Sequence, residues 1–258
     1  MLSQHYIDMT SQKSAIRELF DYGSKRAKEI GYENVFDYSL GNPSVPAPQE
    51  FTDALLDLIR NTDPVALHGY SPSLGIPSVR QAIADSLNRR FDMNFKMEDI
   101  FTAVGSAGAI AHAVRAVTVP GDEVITFAPF FPEYYHYVNA TGAVLKVVPA
   151  DITSFQINFD AFEEMITPKT MAVLINTPNN PSGIVYSTAT IKRLASILEA
   201  KSKEYGHVIY IISDEPYREI VFAGADAPFV AKHYDNTIIC YSFSKSLSLP
   251  GERIGYVG

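Results

Sequence analysis

A single cysteine, Cys240, in 258 residues excludes an internal disulfide and fits a reducing compartment, where a thiol in an apolar stretch serves packing. Basic residues are in deficit, 21 Lys and Arg against 29 Asp and Glu, and none of them form a stripe able to track a phosphate backbone. Nucleic acid is therefore not an expected partner. No apolar run reaches the eighteen or so residues a membrane span needs. The N-terminal stretch carries Asp8, Arg17, Glu18, Asp21, Lys25 and Arg26 with no apolar segment of a secretory leader, so a soluble, cytoplasmic protein is expected. The histidines share no ligand spacing, and no metal is expected. Repeats and low-complexity segments are absent as well. What is present, 47% apolar and 19% charged residues, is the balance of a folded chain long enough for one large domain with a substantial core, or for one domain plus a small appendage.

Apolar residues recur at helical spacing from Phe51 to Ile59, and Pro77 is well placed to open a helix with Val79, Ile83, Leu87 and Phe91 on its inner face. The string GNPSVPAP from Gly41 interrupts any helix there. Beyond it the texture changes to short β-rich runs: Ile100 to Val104, Val124 to Phe127, Val144 to Val148, Ala172 to Ile175, Val208 to Ile212 and Thr237 to Tyr241. Helical stretches separate them, including Gly108 to Val117 and the face formed by Ile191, Leu194, Ala195 and Leu198. That alternation predicts an α/β fold around a mostly parallel sheet buried on both sides.

Unusual residues follow the C-terminal ends of these runs. GSAG follows the first, PFFP the second, NTPNNPSG the fourth, SDEPY the fifth and SFSK the sixth. A parallel sheet gathers such ends along one edge, where ligands bind in open α/β folds.

Small residues at Gly105 to Gly108 let backbone N–H groups approach an anion such as a phosphate at a helix N-terminus, although tight packing uses small residues too. Lys245 lies in SFSKSLSLPGERIGY, with Ser242 before it and Arg253 eight positions after. A guanidinium near a lysine disfavours a second cation and so promotes the neutral, nucleophilic amine; it can also grip a phosphate through two hydrogen bonds. Asp214 and Tyr217 end a nearly apolar strand, where a carboxylate is costly unless it meets a cation; a helix cap and a packing residue are the alternatives. Asn180 is a side-chain donor or part of a plain turn. Phe131 offers a flat face for an aromatic ring or for the core, and Tyr70 precedes a turn and a helix.

Together and in this order, these motifs resemble the class I/II aminotransferases of fold type I, pyridoxal 5'-phosphate (PLP) enzymes that include aspartate aminotransferase, from Gly41 to Gly258. The resemblance implies a three-layer α/β/α domain around a seven-stranded, mostly parallel sheet over residues 48–258, with residues 1–47 belonging to a small domain. It also implies roles. The lysine matching Lys245 carries PLP covalently, the aspartate matching Asp214 keeps the ring nitrogen protonated, and the residues matching Asn180 and Tyr217 bond the ring hydroxyl oxygen. Those matching Ser106, Ala107, Ser242 and Arg253 hold the phosphate, Phe131 matches the aromatic residue stacked on the ring, and Gly41 matches a glycine beside the substrate carboxylate. Tyr70 matches a tyrosine that reaches the neighbouring subunit, so a homodimer is implied. The implied activity moves an amino group from an amino acid to a 2-oxo acid. Carbon-sulfur lyases and decarboxylases share this cofactor shell, and a non-enzymatic ligand sensor is a further alternative. The family's C-terminal small-domain segment, with its carboxylate-binding arginine, has no counterpart before Gly258, which implies a shortened member that transfers amino groups poorly or not at all.

Overall fold

The structure is a computed structural model that describes Gln4, Ile7 and residues 15–39, 41–222 and 224–258, the side chains of 15–17 excepted. The chain divides into two compact units, residues 1–45 and 46–258. In the first, helix α1 (Ala15–Ile30) has Glu18 in its first turn and Lys28 in its last, both matched to the helix dipole. Gly31 then turns the chain at a φ of 91°, and the Asn34 side chain donates to the Ile30 carbonyl at 2.7 Å.

The second unit opens with α2 (Gln49–Asn61) and α3 (Pro64–Leu67), the latter capped by the Asp63 carboxylate. Helix α4 (Pro77–Phe91) does begin at Pro77, but its buried residues are Arg80, Ala84 and Leu87, and the expected Val79 is exposed. The helix is rolled because Arg80 turns inward, its guanidinium donating to the carbonyls of Ile100 at 2.7 Å and Met97 at 2.8 Å.

Strands and helices then alternate: β1 (Phe101–Val104), α5 (Gly105–Val117), β2 (Glu123–Phe127), α6 (Tyr134–Asn139), β3 (Val144–Val148), α7 (Phe159–Met165), β4 (Thr170–Asn176), α8 (Thr188–Tyr205), β5 (Tyr210–Asp214), β6 (Thr237–Ser242), α9 (Phe243–Ser246) and β7 (Ile254–Val257). The fifth expected run is displaced: β5 starts at Tyr210 rather than Val208. Gly206 ends α8 in a left-handed conformation, and the Ile209 N–H donates to the Ser202 hydroxyl at 3.0 Å instead of to a neighbouring strand.

The sheet has seven strands in the order β1-β7-β6-β5-β4-β2-β3, with β7 antiparallel to both of its neighbours and every other pairing parallel. Side-chain alternation builds the three layers. Ala172, Leu174, Ile212 and Cys240 face α5 and α6, where Ala109, Ile110, Ala113 and Val138 cover them. Val173, Ile175 and Ile211 face α7 and α8, where Phe162, Ile191, Leu194 and Leu198 pack, and α4 continues that layer over Ile239, Tyr241 and Tyr256. Cys240 is fully buried, as its apolar surroundings predict.

Candidate active site

Because β7 runs against the sheet, its first residues lie at the edge where β1 and β6 end: Ile254 pairs with Val104, and Gly255 with Ser242. Arg253, one residue earlier, is thereby brought to Gly105, the first residue of α5. A Cβ on Gly105 would stand 2.7 Å from Nη2 of Arg253, and its φ of 69° is one that side chains rarely adopt. Gly255 is equally confined, since a Cβ there would meet the Tyr241 carbonyl at 2.5 Å and the Gly105 backbone at 2.7 Å. Arg253 itself has a φ of 55°, a conformation that costs about 1 to 3 kcal/mol in a residue with a side chain and is characteristic of functional sites. Its Nη1 donates to the Pro250 carbonyl at 2.9 Å. Ser106 and Ala107, both half-buried, occupy the first turn of α5 at the positive end of its dipole, so the small-residue string is the start of the helix itself.

Asp214 closes β5 and is buried. Its Oδ2 accepts a 2.6 Å hydrogen bond from the Tyr134 hydroxyl on α6, whereas Oδ1 is buried with no hydrogen-bond partner among the described residues. Burial pushes this carboxyl up to about 7, with the Tyr134 bond working against the rise and the neighbouring Glu215 adding to it. Tyr217 is half-buried on the following loop; burial and the Asp214 charge raise its hydroxyl, and a hydrogen bond with the Asn180 side chain opposes them. Asn180 is set in turn by Asn176 at the end of β4, whose Oδ1 accepts the Asn180 N–H at 2.6 Å while its amide donates to the Asp214 carbonyl at 2.9 Å.

Ser242, the last residue of β6, is buried, and its hydroxyl caps α9, accepting from the Ser244 N–H at 3.1 Å and pairing with the Ser244 hydroxyl at 2.7 Å. Lys245 follows on α9, half-buried, and burial lowers the pKa of its amine. Desolvation is the cause of that shift; the expected contribution from the Arg253 guanidinium is not among its sources. Phe131 stands edge-on to Tyr134, with ring centroids 5.9 Å apart. Tyr137, one turn along α6, is raised to about 12 by burial, with Glu133 and Asp214 adding and Arg253 subtracting. The charges of Asp214 and Arg253 therefore both act on Tyr137, in opposite directions.

Tyr70 is fully exposed, and Gly41 belongs to the first unit. Tyr134, Tyr137 and Asn176 were missed from sequence, since aromatic residues in YYHYV and an asparagine ending an apolar strand read as packing and turn residues. An apolar cavity of about 440 Å³ opens nearby between α4 and the β1-β7-β6 strands, lined by Val79, Ile83, Leu87, Phe243 and Ile254. Neither Lys245 nor Asp214 is on its wall. No cluster of residues able to hold a metal ion occurs among the described residues.

The family model for aminotransferase class I and II matches residues 33–258. The chain belongs to that family. An amino transferase from Eubacterium rectale of known structure is 54% identical, with a TM-score of 0.96 over 100% of this chain and 65% of that one. Aspartate aminotransferase from Thermus thermophilus, solved with maleate, is 26% identical with a TM-score of 0.85, over 100% of this chain and 64% of that one. Aspartate aminotransferase of Thermotoga maritima is 30% identical over 87% of this chain and 58% of its own length. This aminotransferase-family chain thus spans somewhat under two thirds of the relatives it matches.

Proposed function

We propose that the chain binds PLP covalently at Lys245 and serves amino transfer from an amino acid to a 2-oxo acid. The observation that carries this reading is the buried, unpartnered Oδ1 of Asp214. A carboxylate in that position is costly unless it faces a cation, and a protonated pyridine nitrogen is a cation of suitable size. The other groups fit the same ligand. Arg253, the backbone N–H groups of Ser106 and Ala107 at the α5 N-terminus, and the Ser242 hydroxyl suit a phosphate carrying close to two negative charges. The bonded pair Asn180 and Tyr217 offers donors to the ring oxygen, and Phe131 offers a face for stacking.

When bound, the cofactor supplies an electron sink for charge developing at the substrate α-carbon. The protein contributes placement and a fixed field. Asp214, its carboxyl poised near neutrality by burial, becomes firmly ionised against a cationic ring nitrogen and keeps the proton there. Lys245, its pKa lowered by burial, is neutral more often than a surface lysine, and would serve both as the amine that holds the cofactor and as the base that moves a proton at the substrate α-carbon.

In this reading residues 48–258 form the cofactor-binding domain and 1–47 belong to a small domain, with Gly41 beside the substrate carboxylate. The working form is a cytoplasmic homodimer in which Tyr70 reaches the neighbouring site. Two features support an association: the Tyr70 side chain is fully exposed, and α2 buries none of its residues while presenting Leu55, Leu58 and Ile59 to solvent. No described helix is long and apolar enough to cross a membrane.

Borohydride treatment of the PLP-loaded protein followed by peptide mass mapping tests the assignment. The reduced adduct is expected on Lys245 alone, and Lys245→Ala should yield none; a label on any other lysine overturns the reading.

A further inference from the structure

We propose that the hydroxyls of Tyr241 and Ser246, anchored on Glu219 and Arg218, form a clamp that positions the Lys245 turn; the inference rests on the reading of Lys245 as the cofactor-bearing lysine. The observations lie on the face of the sheet opposite Tyr134. Arg218 is buried, with Nη1 donating to Glu215 Oε2 at 2.8 Å, Nη2 to the Tyr256 hydroxyl at 3.1 Å, and Nε 3.4 Å from Glu219 Oε1. Its guanidinium lies over three rings, at 4.4 Å from the centroid of Tyr241, 5.0 Å from Phe91 and 5.4 Å from Phe229. Arg90 of α4 holds Glu219 Oε1 from the other side at 2.8 Å. That leaves Glu219 Oε2 to accept from the Tyr241 hydroxyl at 2.8 Å, and the same hydroxyl meets Ser246 Oγ at 2.8 Å.

Ser246 is the residue after Lys245, and α9 is a helix of only four residues, too short to hold its geometry by internal hydrogen bonds. At its other end the Ser242 cap fixes it to β6. The Tyr241 to Ser246 contact is a second point of attachment, and it ties the lysine turn to the loop that follows Asp214. An arginine paired, bonded and enclosed by rings is a stiff anchor, because moving it would expose a buried charge. The clamp therefore relates the positions of the amine and the carboxylate without touching either. Tyr241, Ser246 and Glu219 are positioning residues.

The substitutions Tyr241→Phe and Ser246→Ala each remove the bridge while keeping the ring over Arg218. The charged and titratable groups on the elements packed around this turn include Asp214, Glu215, Tyr217, Arg218 and Glu219 from β5 and its loop, Arg90 from α4, Tyr241 from β6, Arg253 just before β7 and Tyr256 within it; Ser246→Ala retains all of them, and Tyr241→Phe removes only the Tyr241 hydroxyl, whose pKa lies well above the labelling range. The full chain is studied without PLP by acetic anhydride labelling across pH, read at Lys245 by mass spectrometry with Lys146 and Lys232 as internal references. Absorbance of the PLP-loaded chain is titrated in parallel. Since burial lowers the Lys245 pKa, a loosened turn that admits water should raise its labelling midpoint by about half a pH unit or more. Both single variants should show this rise, the double variant no more than either, and the absorbance midpoint of the loaded protein should move with them. Profiles that superimpose on the unsubstituted chain overturn the proposal, as does a shift in Tyr241→Phe that Ser246→Ala does not share. The labelling needs no cofactor, so these outcomes are separate from borohydride labelling at the wrong lysine, which overturns the earlier reading instead.

Discussion

Ser213, Asp214 and Glu215 are consecutive, buried and polar, yet the two faces of the sheet treat them differently. Glu215 points toward α4 and is saturated: Ser213 Oγ donates to one oxygen at 2.7 Å and Arg218 to the other at 2.8 Å. Asp214 points toward α6 and has one hydrogen bond for two oxygens. Burial raises both carboxyls, so desolvation alone does not tell them apart. The inventory of partners does. A buried charge that the protein itself neutralises is structure, and one left incomplete is a place for something the protein does not supply.

The sharpest way to break this comparison is to remove a partner on each side. Arg218→Ala leaves Glu215 buried and unpaired, and should cost about 3 to 5 kcal/mol in urea unfolding. Asp214→Asn removes a charge that has no counter-ion, so the cofactor-free chain at pH 7.5 should be no less stable than before. PLP retention in that variant should instead fall by about 2 to 5 kcal/mol of binding. Equal destabilisation by the two substitutions would erase the distinction.

A smaller effect sharpens it through pH. The folded-state pKa of Asp214, about 7, lies above its ordinary value of 3.8, so the folded cofactor-free chain binds the proton more tightly than the unfolded one. The corresponding stability is fully present below pH 3.8 and is lost as pH rises toward and through 7. Across that window the loss should be roughly 2 to 4 kcal/mol. Glu215 is raised too and contributes the same sign in both proteins, so the difference between the unsubstituted chain and Asp214→Asn isolates Asp214. Identical urea midpoints against pH in the two proteins would show that Asp214 is not the group responsible.

How much of this was legible in the sequence depends on how far apart the interacting groups are along the chain. The strand ends were readable because each apolar run stops at a short polar or small-residue string, and Lys245, Asp214, Asn180 and Tyr217 lie in those strings. The meeting of Gly105 with Arg253 was implied only by the family resemblance and not by the residues' own pattern, because it requires the antiparallel strand β7 to bring its first residue to the edge where β1 ends. Arg80 and Arg218 were not legible. An arginine beside a helix or loop reads as solvated, and only the assembled core provides the carbonyls and rings that accept it. The roll of α4 that exposes Val79 follows from the same cause.

Tyr134 is the least legible of the site's residues, since 80 positions separate it from Asp214, and it tests the comparison most finely. It is fully buried, and its pKa is raised by burial and by the Asp214 charge, so it stays a hydrogen-bond donor throughout the accessible pH range. Its bond to Oδ2 is the interaction that favours the ionised carboxyl, opposing burial. Tyr134→Phe keeps the ring and deletes that bond, which should cost about 1 kcal/mol and leave the fold intact. The pH-dependent loss of stability should then be displaced to higher pH, because the carboxylate has lost the group that stabilises it. PLP should still bind, more weakly, since a ring cation and Tyr134 support the same ionised form. A displacement to lower pH would mean that the hydroxyl supports the protonated carboxyl instead, and that Asp214 lacks the incomplete, charge-seeking character that separates it from Glu215.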